Sequence, residues 1–241
     1  MDGVQLGARF SIATNRLQYC GPADAEPTLF RAITSEAGHA EAARALSAFE
    51  ALMPYLEAIA EKHDRDPFDL EVVEAYWIGN ELLDAFDRAD FERLLVALTR
   101  RGLPASIARR LAERLPPAPL PHHLFHVAFV GVGAVTGHVP TTLANMEACR
   151  PAWSEVTGVS DGRLSLRGPA LVARETSIEL GPDVDRELPY DPRVIVEPRP
   201  GDSVAVHWRW PALQLAPQQR RALETYSQRS LDQANHARST G

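Results

Sequence analysis

Apolar residues recur at helical spacing on one side of a proline tract and at strand spacing on the other. The tract is PPAPLP, residues 116–121. No regular element can run through it, because each proline lacks an N–H and has a fixed φ. Between residues 40 and 115, Leu46, Phe49, Leu52, Leu56 and Ile59 recur at three and four, the stripe of an amphipathic helix. Pro54 falls inside this stripe and is expected to kink or divide it. Asp66-Pro67 reads as an N-cap followed by proline at the first helical position. The helix it opens carries Leu70, Val73 and Trp77 on one side and ends near Gly79 or Asn80. Phe91, Leu94, Leu95 and Leu98 define the next helix, with Gly102 as its C-terminal cap. Pro104 opens a fourth, through Ile107, Leu111 and Leu115.

Beyond Trp153 the period falls to two. The runs WSEVTGV, RLSLRG, PALVARE, TSIELGP, RVIVE (193–197) and SVAVHWRW (203–210) are separated by turn residues, as short strands are. Asp161-Gly162 between alternating runs is a hairpin signal. Pro217 starts a last helix through Leu223, Tyr226 and Leu231. The expected fold class is therefore α+β. A helical domain (1–121) and a connecting segment (122–148) precede a small OB-like β-barrel with a C-terminal helix (149–241).

Composition narrows the function classes. With 45% apolar residues, 241 residues hold ample material for a core, which excludes disorder for most of the chain. The net charge of −7 argues against nucleic acid or an anionic membrane as partner. Two cysteines, Cys20 and Cys149, cannot form a disulfide framework for a chain this long. The opening MDGVQLGARF has no basic n-region and no apolar h-region, and the longest apolar run, Val127–Val135, is too short to span a bilayer. A cytoplasmic location with reduced thiols is expected.

The chemistry-bearing candidates are the two cysteines and four histidines. Cys149 follows a short helical segment (140–148) that Pro151 stops. A helix C-terminus disfavours an anion, so this thiol should be hard to ionise unless a cation or metal reverses the effect. Cys20 lies in Gln18-Tyr19-Cys20-Gly21-Pro22, a turn sequence. His122, His123 and His126 fall within five residues. In a helix, positions 122 and 126 share a face and can reach one ion; in a strand they stand about 13 Å apart. Pro121 before them and Val-Ala-Phe-Val after them favour an extended chain, so one of the three is expected to join any given site. His207 sits in the alternating run 203–210. A set of Cys20, Cys149, His126 and His207 suits zinc or iron, without the CxxC spacing that marks a structural zinc site. The bland alternative is a buried cysteine acting as a small hydrophobe and histidines satisfied by backbone. No GxxxxGK[ST] or HExxH motif is present, and Gly131-Val-Gly133 is only a fragment of a dinucleotide loop.

The C-terminal part resembles the HypC/HupF family of nickel–iron hydrogenase assembly chaperones. The likeness rests on Cys149-Arg-Pro-Ala-Trp-Ser-Glu-Val156, on Asp161-Gly162, and on Pro200-Gly201-Asp202-Ser-Val-Ala-Val-His207, followed by Trp210 and Leu215-Ala-Pro217. It implies a HypC-like β-barrel that carries iron with diatomic ligands on Cys149, with His207 beside it. It also implies other hydrogenase-assembly proteins or a hydrogenase large subunit as partners. The whole chain is similar to an uncharacterised bacterial family with the patterns NRLxYCGP, AYWIGN and HHxFHV, here at 15–22, 75–80 and 122–127. The leading expectation is a non-enzymatic metallocentre-assembly protein with Cys149 and His207 as ligands. Cys20, His122, His123 and His126 are further candidate ligands, and zinc is the alternative metal. An enzyme with Cys20 or Cys149 as nucleophile and one of His122, His123 or His126 as base is a second expectation. A plain protein-interaction module is the third.

Overall fold

A computed structural model describes residues 1–35 and 37–239. The first helix, α1 (Gly3–Arg16), starts where the Asp2 carboxylate accepts a hydrogen bond from the Gln5 N–H at 2.8 Å. It is buried on most of its circumference, with Leu6, Phe10 and Ile12 fully enclosed, so it serves as an axis for its neighbours. α2 (Glu26–Thr34) and α3 (His39–Ser47) pack on it. The apolar spacing raised no expectation for α1 or α2. α4 (Leu52–His63) follows, and Pro54 lies in its first turn. That turn's N–H groups have no helical partner, so proline is tolerated there. The apolar stripe is accordingly divided: Leu46 sits on α3, and Leu52, Leu56 and Ile59 on α4.

α5 (Leu70–Trp77) packs against α1 and α4. It does not begin at Asp66-Pro67 as expected. The Asp66 carboxylate instead accepts from the Phe68 N–H at 2.8 Å, a local turn that competes with helix formation, and α5 starts after Asp69. A short 3-10 helix (Glu81–Ala85) leads to α6 (Arg88–Thr99), which is capped by a reciprocal Asp87/Asp90 box, and to α7 (Ala105–Glu113).

Past the proline tract, α8 (His123–Phe125) runs directly into a π-helical turn, His126–Gly131. The extended chain expected here is thus corrected to helix. Leu124, Phe125, Val127, Ala128 and Val130 are buried together, and an apolar run enclosed on all sides has no alternation to distinguish strand from helix. α9 (Leu143–Cys149) is capped by the Thr142 hydroxyl and ends at the expected cysteine.

Five antiparallel strands follow: β1 (Ala152–Ser160), β2 (Arg163–Ala173), β3 (Ile178–Pro189), β4 (Ser203–His207) and β5 (Trp210–Leu215), in the order β3-β2-β1-β4-β5. Asp161 and Gly162 form the β1–β2 turn with φ of 47° and 72°, as an Asp-Gly hairpin requires. The expected barrel is corrected to an open sheet: β3 and β5 remain edges that share no ladder among the described residues. Two changes account for this. RLSLRG and PALVARE merge into the single strand β2, with a register irregularity between Pro169 and Leu171. RVIVE is a turn, in which the Val194 and Ile195 N–H groups donate to the Asp191 carbonyl. The run SVAVHWRW also breaks, at Trp208-Arg209, whose φ values of 49° and 60° turn it into the β4–β5 hairpin.

α10 (Pro217–Ser239) packs on α8, on the π-helical turn and on β1, β3 and β5. One continuous set of buried apolar residues extends from Leu6 to Ala234 through both halves. Burying each large side chain in it contributes about 1.5–3 kcal/mol. Across the junction the Arg9 guanidinium donates to the Val194 and Ala212 carbonyls at 2.9 and 3.1 Å. Among the described residues no helix is long and apolar enough to cross a membrane.

Candidate metal centre

Three elements end at one point. His123 opens α8, Cys149 closes α9 and His207 closes β4, and one potential ligand atom from each lies within 4.8 Å of the others. All three side chains are buried. Backbone pairing sets the approach. The Trp208 N–H donates to the Ala148 carbonyl at 2.6 Å, so the end of β4 is tied to the end of α9. The positive φ of Trp208 makes the chain turn there and leaves His207 at the strand terminus.

Hydrogen bonds orient the rings. His207 Nδ1 lies 2.6 Å from the Phe10 carbonyl, which can only accept, so the ring proton is on Nδ1. The lone pair is then on Nε2, which makes no hydrogen bond among the described residues, although the Cys149 carbonyl stands beside it. A ring nitrogen fixed by a backbone carbonyl with the other nitrogen free is how metal-binding histidines are held. His123 Nε2 lies 2.9 Å from the Cys149 carbonyl and 3.6 Å from its Sγ, while Nδ1 lies 2.7 Å from the Tyr76 hydroxyl. Ligation through Nε2 would move the ring proton to Nδ1, where the Tyr76 oxygen can accept it. Trp77 closes one wall, 4.4 Å from the His123 ring and 5.1 Å from the His207 ring between centroids.

Burial sets the charge states. It depresses His207 and His126 to about 4 and His122 to about 3, and takes His123 well below its ordinary value. All four are neutral near pH 7, the form in which imidazole binds a metal. Burial also pushes the Cys149 thiol up to about 12. The Trp208 indole N–H works against that rise: it falls short of a hydrogen bond but leans toward the thiol, where it favours the anion. Cys149 is therefore a thiol until a cation displaces its proton.

The remaining candidates are distributed around this point. Cys20 and His126 line the same cavity as the three, a space of about 70 Å³. Cys20 donates through Sγ to Glu50 Oε2 at 3.4 Å. Its thiol is pushed up to about 12, first by burial and then by the Glu50 charge. His126 Nδ1 pairs with the Tyr55 hydroxyl at 2.9 Å, and its ring centroid is 6.3 Å from that of His123. His122 points elsewhere, toward Ser230 Oγ on α10 at 3.0 Å. One of the three neighbouring histidines thus joins the cluster, although the segment is helical.

All three segments singled out in the sequence meet at the cavity: Tyr19 and Cys20, Tyr76 and Trp77, His123 and His126. Gly79 belongs to this design. Its φ is 100°, and a Cβ there would lie 2.4 Å from the Tyr226 ring, so only glycine lets the end of α5 approach α10. Sequence reasoning missed the contributions of α1, namely the Phe10 carbonyl, Ser11 and Thr14, and that of Tyr55 on α4. Leu6, Phe10 and Ala13, spaced at four and three, were the available signal for α1. Trp208-Arg209 carries no glycine or asparagine and offered none.

Among curated proteins and among solved structures, none matches this chain. The hydrogenase-chaperone likeness of the C-terminal part finds no counterpart in the family comparison. What does match, over residues 1–241, is the Family of unknown function (DUF6390), and the chain belongs to that family.

Proposed function

We propose that this chain is a metal-binding protein whose centre is formed by His123, Cys149 and His207. The observation that carries the reading is the convergence of the three donors from three distant elements to within 4.8 Å, with His207 Nε2 left unpartnered. A buried polar atom without a partner costs about 1–3 kcal/mol, which a bound cation would remove. One thiolate and two imidazoles suit zinc or iron. The narrower reading is iron carried for hydrogenase-assembly proteins or for a hydrogenase large subunit. It requires a partner's thiolate to reach Cys149, which is only 8% exposed. That burial favours a resident ion over one handed on.

A thiol–imidazole catalyst is a second reading, favoured by the 3.6 Å between Cys149 Sγ and His123 Nε2. It needs a thiolate beside an imidazolium, and burial opposes both ions here. The discriminating experiment is metal analysis of the full chain purified anaerobically, followed by titration with zinc(II) and iron(II). One ion per chain, lost in Cys149→Ala and His207→Ala, is the expected result. A wild-type chain that takes up neither ion at neutral pH would overturn the proposal.

A further inference from the structure

The cavity beside the three donors is larger than an ion needs. Its volume of about 70 Å³ is several times the roughly 10–15 Å³ of such space that one water molecule needs. Four polar atoms of its lining residues have no hydrogen-bond partner among the described residues: His207 Nε2 and the Trp208 indole N–H, both beside Cys149, and, not accounted for by the three donors, the Trp77 indole N–H and the Ser11 hydroxyl. The last two side chains are buried, at 3% and 1% exposure. Each such group is destabilising if left unmet, and an indole N–H can only donate. The cavity therefore calls for an acceptor. No carboxylate, lysine or arginine is among its described lining residues, and its three histidines are neutral near pH 7, so no charge in the wall can neutralise an anion. A divalent ion bound by one thiolate and two neutral imidazoles keeps a net positive charge, and a partly enclosed, mostly apolar cavity favours its neutralisation. Three protein donors also leave a tetrahedral ion one position short, which is how open zinc sites are built.

On these grounds, and resting on the metal reading above, we infer that the ion keeps one position open for a small monoanion, held at its far end by Trp77 and Ser11. The ligand class is a compact anion of a few heavy atoms, rich in acceptors and poor in donors. Trp208 has a separate role, with its N–H toward the Cys149 sulfur.

The test uses the full chain loaded with cobalt(II), whose visible spectrum reports changes in coordination. Sodium azide and sodium formate are titrated in, with benzoate as a size control. Saturable one-to-one spectral changes with azide and formate, and none with benzoate, are expected. Trp77→Phe keeps the ring and removes the N–H, and Ser11→Ala removes the hydroxyl. Each should weaken azide binding on the order of tenfold while cobalt stoichiometry stays at one. Calorimetry should detect no azide binding to the metal-free chain. A fully loaded chain whose spectrum ignores azide refutes the open position and leaves the metal reading intact. Variants that bind azide as tightly as wild type refute the roles of Trp77 and Ser11, and azide binding without metal refutes the dependence on the ion. A chain that binds no cobalt removes both the metal reading and this inference.

Discussion

Two thiols line one cavity and are equally hard to ionise, yet their surroundings make them different chemical objects. Cys20 and Cys149 are both pushed up to about 12, and burial is the main cause for each. Cys20 donates to a carboxylate, Glu50, whose charge opposes a thiolate. Cys149 faces two neutral imidazoles, and an indole N–H leans on its sulfur. A cation arriving at Cys149 meets the free lone pair of His207 Nε2 and a His123 ring whose proton Tyr76 can take up, whereas one arriving at Cys20 meets a thiol engaged with a carboxylate. The difference teaches that a perturbed thiol is not by itself a functional thiol, and that its neighbours decide the outcome.

The sharpest way to break the comparison is to remove each sulfur. Cys149→Ala should lower affinity for zinc(II) by at least about 100-fold, because even outer-shell partners of ligands contribute 10- to 100-fold. Cys20→Ala should leave it unchanged. Competition against a chromophoric chelator measures both, and equal losses would erase the distinction. The next effect tests the support of one ring. Tyr76→Phe deprives His123 Nδ1 of its hydroxyl partner and should weaken the metal by about 10- to 100-fold. Tyr55→Phe acts on His126, outside the three, and should not.

The third effect concerns histidines on both sides of the cavity wall. His207 and His122 are depressed to about 4 and about 3, whereas the unfolded chain protonates them near 6.5. Below pH 6.5 the unfolded state takes up more protons than the folded one. Stability present above that pH is therefore lost as pH falls toward 4, at up to about 1.4 kcal/mol per histidine per pH unit. Thermal melting of the metal-free chain at pH 7, 6 and 5 should show a steep decline. Bound metal should protect His207 and not His122, which lies against Ser230 on α10. A flat profile would contradict the buried neutral state of both.

What could be read in advance follows the same division between local and non-local causes. The α4 and α6 stripes, the Asp161-Gly162 turn and the end of α9 at Cys149 are set by neighbours in sequence, and they were legible. RVIVE has strand composition but forms a turn, in which Asp191 holds the Val194 and Ile195 amides and Arg9 of α1 holds the Val194 carbonyl. That outcome depends on a residue far away in the chain. The break at Trp208-Arg209 uses left-handed φ at two residues that do not advertise it. His207 was named through a likeness that the family comparison does not carry, and its partner His123 could not be separated from His122 and His126. Only a helix in which His123 faces the α9 terminus and His122 faces α10 makes that choice.

The smallest effect sharpens the comparison at Cys20. Glu50 does two things there: its Oε2 accepts from the Cys20 thiol at 3.4 Å and from the Gly21 N–H at 2.9 Å. Glu50→Gln keeps an acceptor oxygen for the Gly21 amide and removes the negative charge. Gly21 has a φ of 83° and sits against the Phe49 ring, so retaining that bond keeps the turn in place. With the charge gone, the thiol is opposed by burial and by its hydrogen bond to a neutral oxygen, and the thiolate fraction rises at any given pH. Iodoacetamide should then modify Cys20 several-fold faster at pH 8, with Cys149 unaffected, as peptide mass spectrometry of the two sites reads directly. If the rate at Cys20 does not change, burial alone guards that thiol. The contrast between the two corners would then rest on the imidazoles beside Cys149 and not on the carboxylate beside Cys20.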